Sequence, residues 1–215
     1  MNLIQEHNSK RNTNTPSMIY FIADAPNICT LFGLLSSTAG IYFAITAKLN
    51  LAVIGGVWAV LFDWLDGLIA SKLPKRTGKF RQFGAQLDSL IDIVSFGVLP
   101  AIILLSYSQF NPWCFPCAFI IIAASAIRLS YFNIYGLSEG KSYTGLPVDN
   151  NGLVVALVFL FESYFSQQVF LIGFHFILMV MVGLNLSNLQ IPKFSKKGIY
   201  VILTYVTFVS IYLWL

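Results

Sequence analysis

From Asn27 onward the chain is a succession of apolar runs, each close to the length of a bilayer and broken only by short polar or Pro-containing segments. A membrane-crossing helix needs about 20 mostly apolar residues, and the runs place such helices over 28–46, 49–70, 84–106, 113–132, 152–165, 169–186 and 199–215. The fifth and the last are short for a full crossing. The expected fold is therefore an all-α integral membrane bundle of six to seven transmembrane helices with a polar active site facing the cytoplasm. With 57% apolar and only 10% charged residues, a soluble domain is excluded. Residues 1–25 read as a separate polar arm. Its first sixteen residues, with Lys10 and Arg11, lack the apolar stretch of a cleavable signal, and an interfacial helix is expected around 19–25. Residues 26–215 form the one transmembrane domain.

Charge sets the expected orientation. Lys and Arg are retained on the cytoplasmic side of membrane proteins. With the N-terminus inside, the cytoplasmic loops 72–81, 133–150 and 187–197 hold most of the remaining basic residues, among them Lys72, Lys75, Arg76, Lys79 and Arg81. The net charge of +4 is then a topology signal, and no nucleic-acid partner is expected. Cys114 and Cys117 stand in a C-x-x-C spacing without the strand-and-helix context of a redox motif. They read as small apolar residues at a helix start, or as a disulfide if their loop faces an oxidising compartment.

Four of the nine acidic residues, Asp63, Asp66, Asp88 and Asp92, fall inside or at the edge of apolar runs. A charged Asp at the centre of a membrane helix costs about 2.5–3.5 kcal/mol, so four of them need compensating cations. Spacings of three and four residues put each pair on one side of its helix. The short basic loop between the helices makes them antiparallel neighbours, which brings both pairs to the same depth. Hard oxygen ligands in this number suit Mg²⁺ or Mn²⁺, ions that also bind substrate phosphates. Gly67, Ala70 and Gly84 lie on or near the same faces, where the lack of bulk leaves room for a nucleotide. Pairing of the Asp residues with loop cations, and helix packing by the small residues, are the plainer alternatives.

The run Asp63-Trp64-Leu65-Asp66-Gly67-Leu68-Ile69-Ala70, followed by Gly84-Ala85-Gln86-Leu87-Asp88-Ser89-Leu90-Ile91-Asp92, resembles the D-x-x-D-G-x-x-A-R … G-x-x-x-D-x-x-x-D signature of the CDP-alcohol phosphotransferase family. Ser71 stands where that signature carries Arg, with Lys72 next, and the spacer before Gly84 is longer than usual. Within the family, residues 88–100, Pro26-Asn27-Ile28-Cys29-Thr30, Arg128-Leu129-Ser130-Tyr131-Phe132-Asn133 and Gly145-Leu146-Pro147 are similar to the phosphatidylserine synthase subgroup, whereas Val148-Asp149-Asn150-Asn151-Gly152 departs from it.

The resemblance implies transfer of a phosphatidyl group from CDP-diacylglycerol to an alcohol, with L-serine favoured and CMP released, by a homodimer in the cell membrane. It implies metal ligation by Asp63, Asp66, Asp88 and Asp92, with Asp92 as catalytic base. Nucleotide contacts are implied at Asn27, Thr30, Asp63, Gly67, Ala70 and Gly84, and Lys72 or another loop cation is the candidate phosphate contact in place of the missing Arg. Arg128, near the cytoplasmic end of its helix, reads either as a bidentate partner for the serine carboxylate or as a snorkelling topology arginine. Asn133, Asp149 and Asn150 are further acceptor-pocket candidates. Glycerol phosphate and inositol phosphate are the alternative acceptors; an intramembrane prenyltransferase and a cation transporter are the more distant readings. His175 is expected to be a packed or hydrogen-bonded helix residue, and Glu162 to lie in water.

Overall fold

A computed structural model describes residues 17–73, 76–137, 142–193 and 198–215; most of the polar arm, and Lys75 of the first basic loop, lie outside the described residues. Among the described residues the regular structure is helical apart from one two-stranded ribbon. A short helix α1 (Met18–Ile22) leads into α2 (Ala25–Ile45) and α3 (Leu49–Ser71). Helix α4 (Gly78–Asp92) runs through a π-helical stretch, Ile93–Val98, into α5 (Leu99–Tyr107). Then come α6 (Phe115–Tyr135), α7 (Asp149–Phe159), α8 (Gln167–Asn185) and α9 (Gly198–Trp214). Among the described residues, five helical segments are long and apolar enough to cross a bilayer, namely α2, α3, the continuous Gly78–Tyr107, Pro112–Tyr135 and α8; the 17-residue α9 is a shorter apolar helix.

Two expectations need correction. The run at 152–165 is not a span. Its helix ends at Phe159 and a 3₁₀ turn, Glu162–Tyr164, follows; at 1.5 Å per residue the eleven residues of α7 reach only about 16 Å. Glu162 is not simply solvated, because it is half-buried and the Tyr107 hydroxyl donates to it at 3.0 Å. His175 meets expectation, its Nδ1 lying 2.8 Å from Leu171 O.

The helices pack through small residues, as membrane helices do when they have no hydrophobic drive between them. A Cβ on Gly55 would stand 2.8 Å from Ser36 O and 2.9 Å from Gly40 Cα, so α2 and α3 touch backbone to backbone. Ser36 Oγ donates to Gly55 O across the same crossing. Leu99 packs against Gly40 and Gly56 at this crossing, and Phe96, Ile103, Leu104 and Phe174 are fully buried elsewhere in the same core. The outward faces stay apolar too: Ile172, Phe176 and Val180 on α8 are exposed at a four-residue interval, which is what lipid rather than water requires.

The π-helical stretch leaves an acceptor free, with a visible consequence. Pro100 has no N–H to donate to the carbonyl four residues back, Phe96 O, and the buried Asn151 amide takes that acceptor at 3.1 Å. That bond fixes the start of α7 against the helix carrying Asp88 and Asp92. Strand β1 (Ser142–Thr144) pairs antiparallel with β2 (Gln190–Pro192), Tyr143 facing Ile191, and ties the α6–α7 connection to the α8–α9 connection. The start of α2, the C-terminal turns of α3 and α6, the C-terminal half of α4, the start of α7 and this ribbon all meet at one end of the bundle.

Candidate active site

At that end the carboxylates converge. Asp63 on α3 and Asp88 and Asp92 on α4 each present an oxygen, and the three oxygens lie within 4.8 Å of one another. The one-turn spacing on α4 and the antiparallel course of α3 produce this meeting. Asp66 is turned aside: three residues on a helix advance by about 300°, leaving Asp63 and Asp66 some 60° apart. Asp66 is buried and accepts a short hydrogen bond from Thr30 Oγ1 on α2. All four border one cavity of about 380 Å³.

Three carboxylates this close repel one another unless a cation sits among them. Asp88 Oδ1 is buried with no hydrogen-bond partner among the described residues, on a side chain that has an oxygen within 4.8 Å of oxygens of Asp63 and Asp92. The donor set is oxygen only, which fits a hard divalent ion.

The candidate nucleotide residues group on one side of this cluster. Asn27 and Thr30 are buried at the start of α2, and a Cβ on Gly84 would come within 2.8 Å of both Asn27 Oδ1 and Arg76 Nη2. Arg76 forms an ion pair with Asp24 and donates to Asn27 Oδ1 at 3.2 Å, while its buried Nε has no partner. Lys72 is exposed at the end of α3, and the Ser71 hydroxyl turns back to Leu68 O. Arg76, one of the loop cations open to replace the missing Arg, is thus drawn inward where Lys72 is not. Gly67 is exposed with open space over it, while Ala70 is half-buried.

On the other side lie Arg128, Phe132, Tyr143, Asp149, Asn150 and Lys193. Arg128 does not snorkel. It is 5% exposed and its guanidinium stands 5.6 Å over the Phe132 ring; among the described residues its Nη2 reaches Gly145 O at 3.5 Å and its Nε has no partner. Asp149 opens α7 and accepts from Trp64 Nε1 at 3.0 Å. Burial, and then the Asp149 and Asp63 carboxylates, push the Tyr143 phenol above its ordinary pKa, so it stays protonated and able to donate. Asn133 lies outside this lining. It is exposed and accepts from Ser89 Oγ at 3.0 Å. Tyr143 and Lys193 had no sequence signal, since only the ribbon brings them over the cavity.

The hydroxyl of Thr30 gives one prediction here. A hydrogen bond to a charged group contributes about 1.5–3 kcal/mol, so Thr30→Val is expected to lower stability by about 2 kcal/mol while Thr30→Ser stays near wild type. Thermal unfolding in detergent reads both.

A membrane bundle with an oxygen-only acidic cluster at one end is what an enzyme of membrane-lipid chemistry would present, and the chain belongs to the CDP-alcohol phosphatidyltransferase family, whose profile matches residues 23–186. Its reaction joins a CDP-activated lipid to an alcohol, and its enzymes use divalent metals. The archaetidylserine synthase of Methanothermobacter thermautotrophicus is 31% identical over 191 residues, 86% of this chain and 76% of its own. The CDP-diacylglycerol–serine O-phosphatidyltransferase of Methanocaldococcus jannaschii is 35% identical over 141 residues, covering 65% and 62%. The enzyme of that name from Helicobacter pylori J99 is 31% identical over 181 residues, covering 80% and 73%.

Proposed function

We propose that this chain transfers the phosphatidyl group of CDP-diacylglycerol to the hydroxyl of L-serine, giving phosphatidylserine and CMP. The observation that carries the reading is the meeting of Asp63, Asp88 and Asp92 in a cavity that also holds a buried arginine with unused donors. Relatives named for transfer to serine support the choice of acceptor.

Asp63, Asp66, Asp88 and Asp92 would hold Mg²⁺ or Mn²⁺. A bound divalent ion supplies charge neutralisation of the diphosphate and Lewis acidity at phosphorus. The protein's own groups do the rest. Asn27, Thr30, Asp63, Gly67, Ala70 and Gly84 bind the nucleotide end, with Arg76 beside them, better buried for a phosphate contact than Lys72. Arg128 receives the serine carboxylate through its free N–H groups. Asp92 takes the proton of the serine hydroxyl as the new O–P bond forms and the P–O bond to CMP breaks. Tyr143 and Asn150 offer further hydrogen bonds on the acceptor side; Asn133 acts there only through its bond to Ser89.

A second reading has one observation in its favour. Lys193 borders the cavity along with Arg128, so two cations are available for a phosphate-bearing acceptor such as glycerol phosphate or inositol phosphate. We further infer that the site faces the cytoplasm, because Lys72, Arg76, Lys79, Arg81 and Lys193 lie at its end of the bundle and Lys48 at the other. Residues 26–215 form the catalytic domain and 1–25 its polar arm. The homodimer rests on family resemblance alone.

CMP release by the purified protein in detergent, with CDP-diacylglycerol, Mg²⁺ or Mn²⁺ and one acceptor at a time, tests the reading. Serine-dependent release that falls by at least about 100-fold in Asp92→Asn is the expected result. Release with glycerol 3-phosphate or inositol phosphate in place of serine would move the acceptor.

A further inference from the structure

A fifth carboxylate stands at the cavity that the family signature does not include. Asp149 comes from a segment, Val148-Asp149-Asn150-Asn151, whose position depends on the Asn151 bond to Phe96 O rather than on the metal-site helices' own sequence. Its two oxygens are held in place: Oδ2 accepts from Trp64 Nε1 at 3.0 Å and Oδ1 from Asn150 Nδ2 at 3.2 Å. The backbone N–H groups of Asn150 and Asp149 also donate to this carboxylate, which leaves it, among the described residues, without a cationic partner rather than without hydrogen bonds. Trp64 belongs to the helix of Asp63 and Asp66, so the indole registers Asp149 against the reaction centre.

Arg128 borders the same cavity and yet does not satisfy this carboxylate. The only ion pair within 4.0 Å among the described residues is that of Arg76 with Asp24. Arg128 is 95% buried, with Nε unpartnered and Nη2 at the 3.5 Å limit from Gly145 O. Opposite charges thus border one cavity without forming an ion pair, and Arg128 keeps an unused donor. Leaving a buried charge unpaired is costly, and a small molecule with both signs of charge removes that cost on both sides at once.

We propose that Asp149 is the specificity-determining residue of the acceptor pocket, receiving the ammonium group of a zwitterionic amino alcohol whose carboxylate meets Arg128. The inference rests on the serine reading above and adds the group that discriminates. A phosphate-bearing acceptor would bring a dianion toward Asp149 as well as toward Arg128 and Lys193, and like charges across a binding site count against the wrong ligand. A site built for a donor also rejects the analogue that lacks it, because the carboxylate is then left without its partner.

The test is steady-state CMP release by the full chain in detergent with saturating CDP-diacylglycerol and Mg²⁺. Asp149→Asn keeps an acceptor for the Trp64 N–H and removes the charge. It is expected to raise the KM for L-serine by about 10-fold or more, with kcat, the KM for CDP-diacylglycerol and the Mg²⁺ concentration for half-activity within about 3-fold of wild type; Asp149→Glu restores part of the loss. The wild-type protein gives an independent reading: L-glycerate, which carries a hydroxyl in place of the ammonium, competes with serine at least about 10-fold more weakly than serine's own KM predicts. An unchanged serine KM in Asp149→Asn, or equal competition by glycerate, overturns the proposal. So does a rise in the Mg²⁺ requirement without a change in serine KM, which would make Asp149 a metal ligand. Serine turnover with any of these results leaves the serine reading standing, whereas preference of the wild type for glycerol 3-phosphate overturns both.

Discussion

Replacement of Asp88 by asparagine is expected to lower CMP formation by about 1,000-fold or more while leaving the metal-free protein at least as heat-stable as wild type. The two effects have one origin. Asp88 Oδ1 is buried without a partner, and an oxygen of the same side chain lies within 4.8 Å of oxygens from Asp63 and Asp92. With metal absent, the third carboxylate adds repulsion and an unmet desolvation cost, so a neutral amide of the same shape relieves the fold. With metal present the sign reverses. Anything that binds only the folded state stabilises it by mass action, so wild type gains melting temperature on titration with Mg²⁺ or Mn²⁺ and Asp88→Asn loses most of that gain. Thermal unfolding in EDTA and in Mg²⁺, alongside CMP release, measures all of it. A variant less stable than wild type in EDTA, with an unaltered response to metal, would show Asp88 to be a structural partner rather than a metal ligand.

The parts of this molecule governed by short-range pattern were legible in advance. Twenty-residue apolar runs leave a helix no alternative in lipid, since every backbone donor must be satisfied within the segment, and the long helices appeared near their expected positions. The acidic pairs were legible for the same reason. Spacings of three and four on adjacent helices put Asp63, Asp88 and Asp92 together without further information. The run at 152–165 was short for a crossing from the outset, and its helix proves shorter still. Those residues turn after Phe159, and the half-buried Glu162 there is tied to Tyr107.

What sequence spacing does not carry is contact between distant segments. Asp149 lies 85 positions from its Trp64 donor, and Asn151 lies 55 from the carbonyl it satisfies. A partial signal existed for the second pair: Pro100 frees an acceptor within an apolar helix, and some polar side chain has to find it. No such signal marked Tyr143 or Lys193, whose place over the cavity depends on three-residue strands too short and too mixed to read. Arg76 was visible as a loop cation. Its inward course toward Asp24 and Asn27 was not, because exposed and buried arginines look alike until the neighbouring Gly84 opens the space.

Two glycines at the site are expected to behave in opposite ways, and the contrast separates architecture from chemistry. Gly145 has φ +73°, a conformation costing an L-residue about 1–2 kcal/mol. A Cβ there would stand 2.4 Å from Asn185 O and 2.9 Å from Ser187 O, and these are backbone atoms that move only with their segment. The segment is the one that fixes the acceptor side. Gly145 N donates to Leu189 O, Leu146 N to Leu184 O, and Asn185 Nδ2 to Leu146 O, while Gly145 O is the acceptor facing Arg128. Gly145→Ala is therefore expected to lower stability by about 3 kcal/mol or more and to abolish most serine-dependent turnover by displacing Arg128, Tyr143 and Lys193 together. Gly67 has nothing within 4 Å of a built Cβ and ordinary helical backbone. Alanine there gains up to about 1 kcal/mol of helix propensity but places a methyl group at the cavity edge next to Asp66, so Gly67→Ala is expected to be as stable as wild type and to raise the KM for CDP-diacylglycerol. Thermal unfolding paired with separate serine and CDP-diacylglycerol titrations reads the two variants. A Gly67→Ala protein with unaltered donor KM would place the nucleotide away from that helix face.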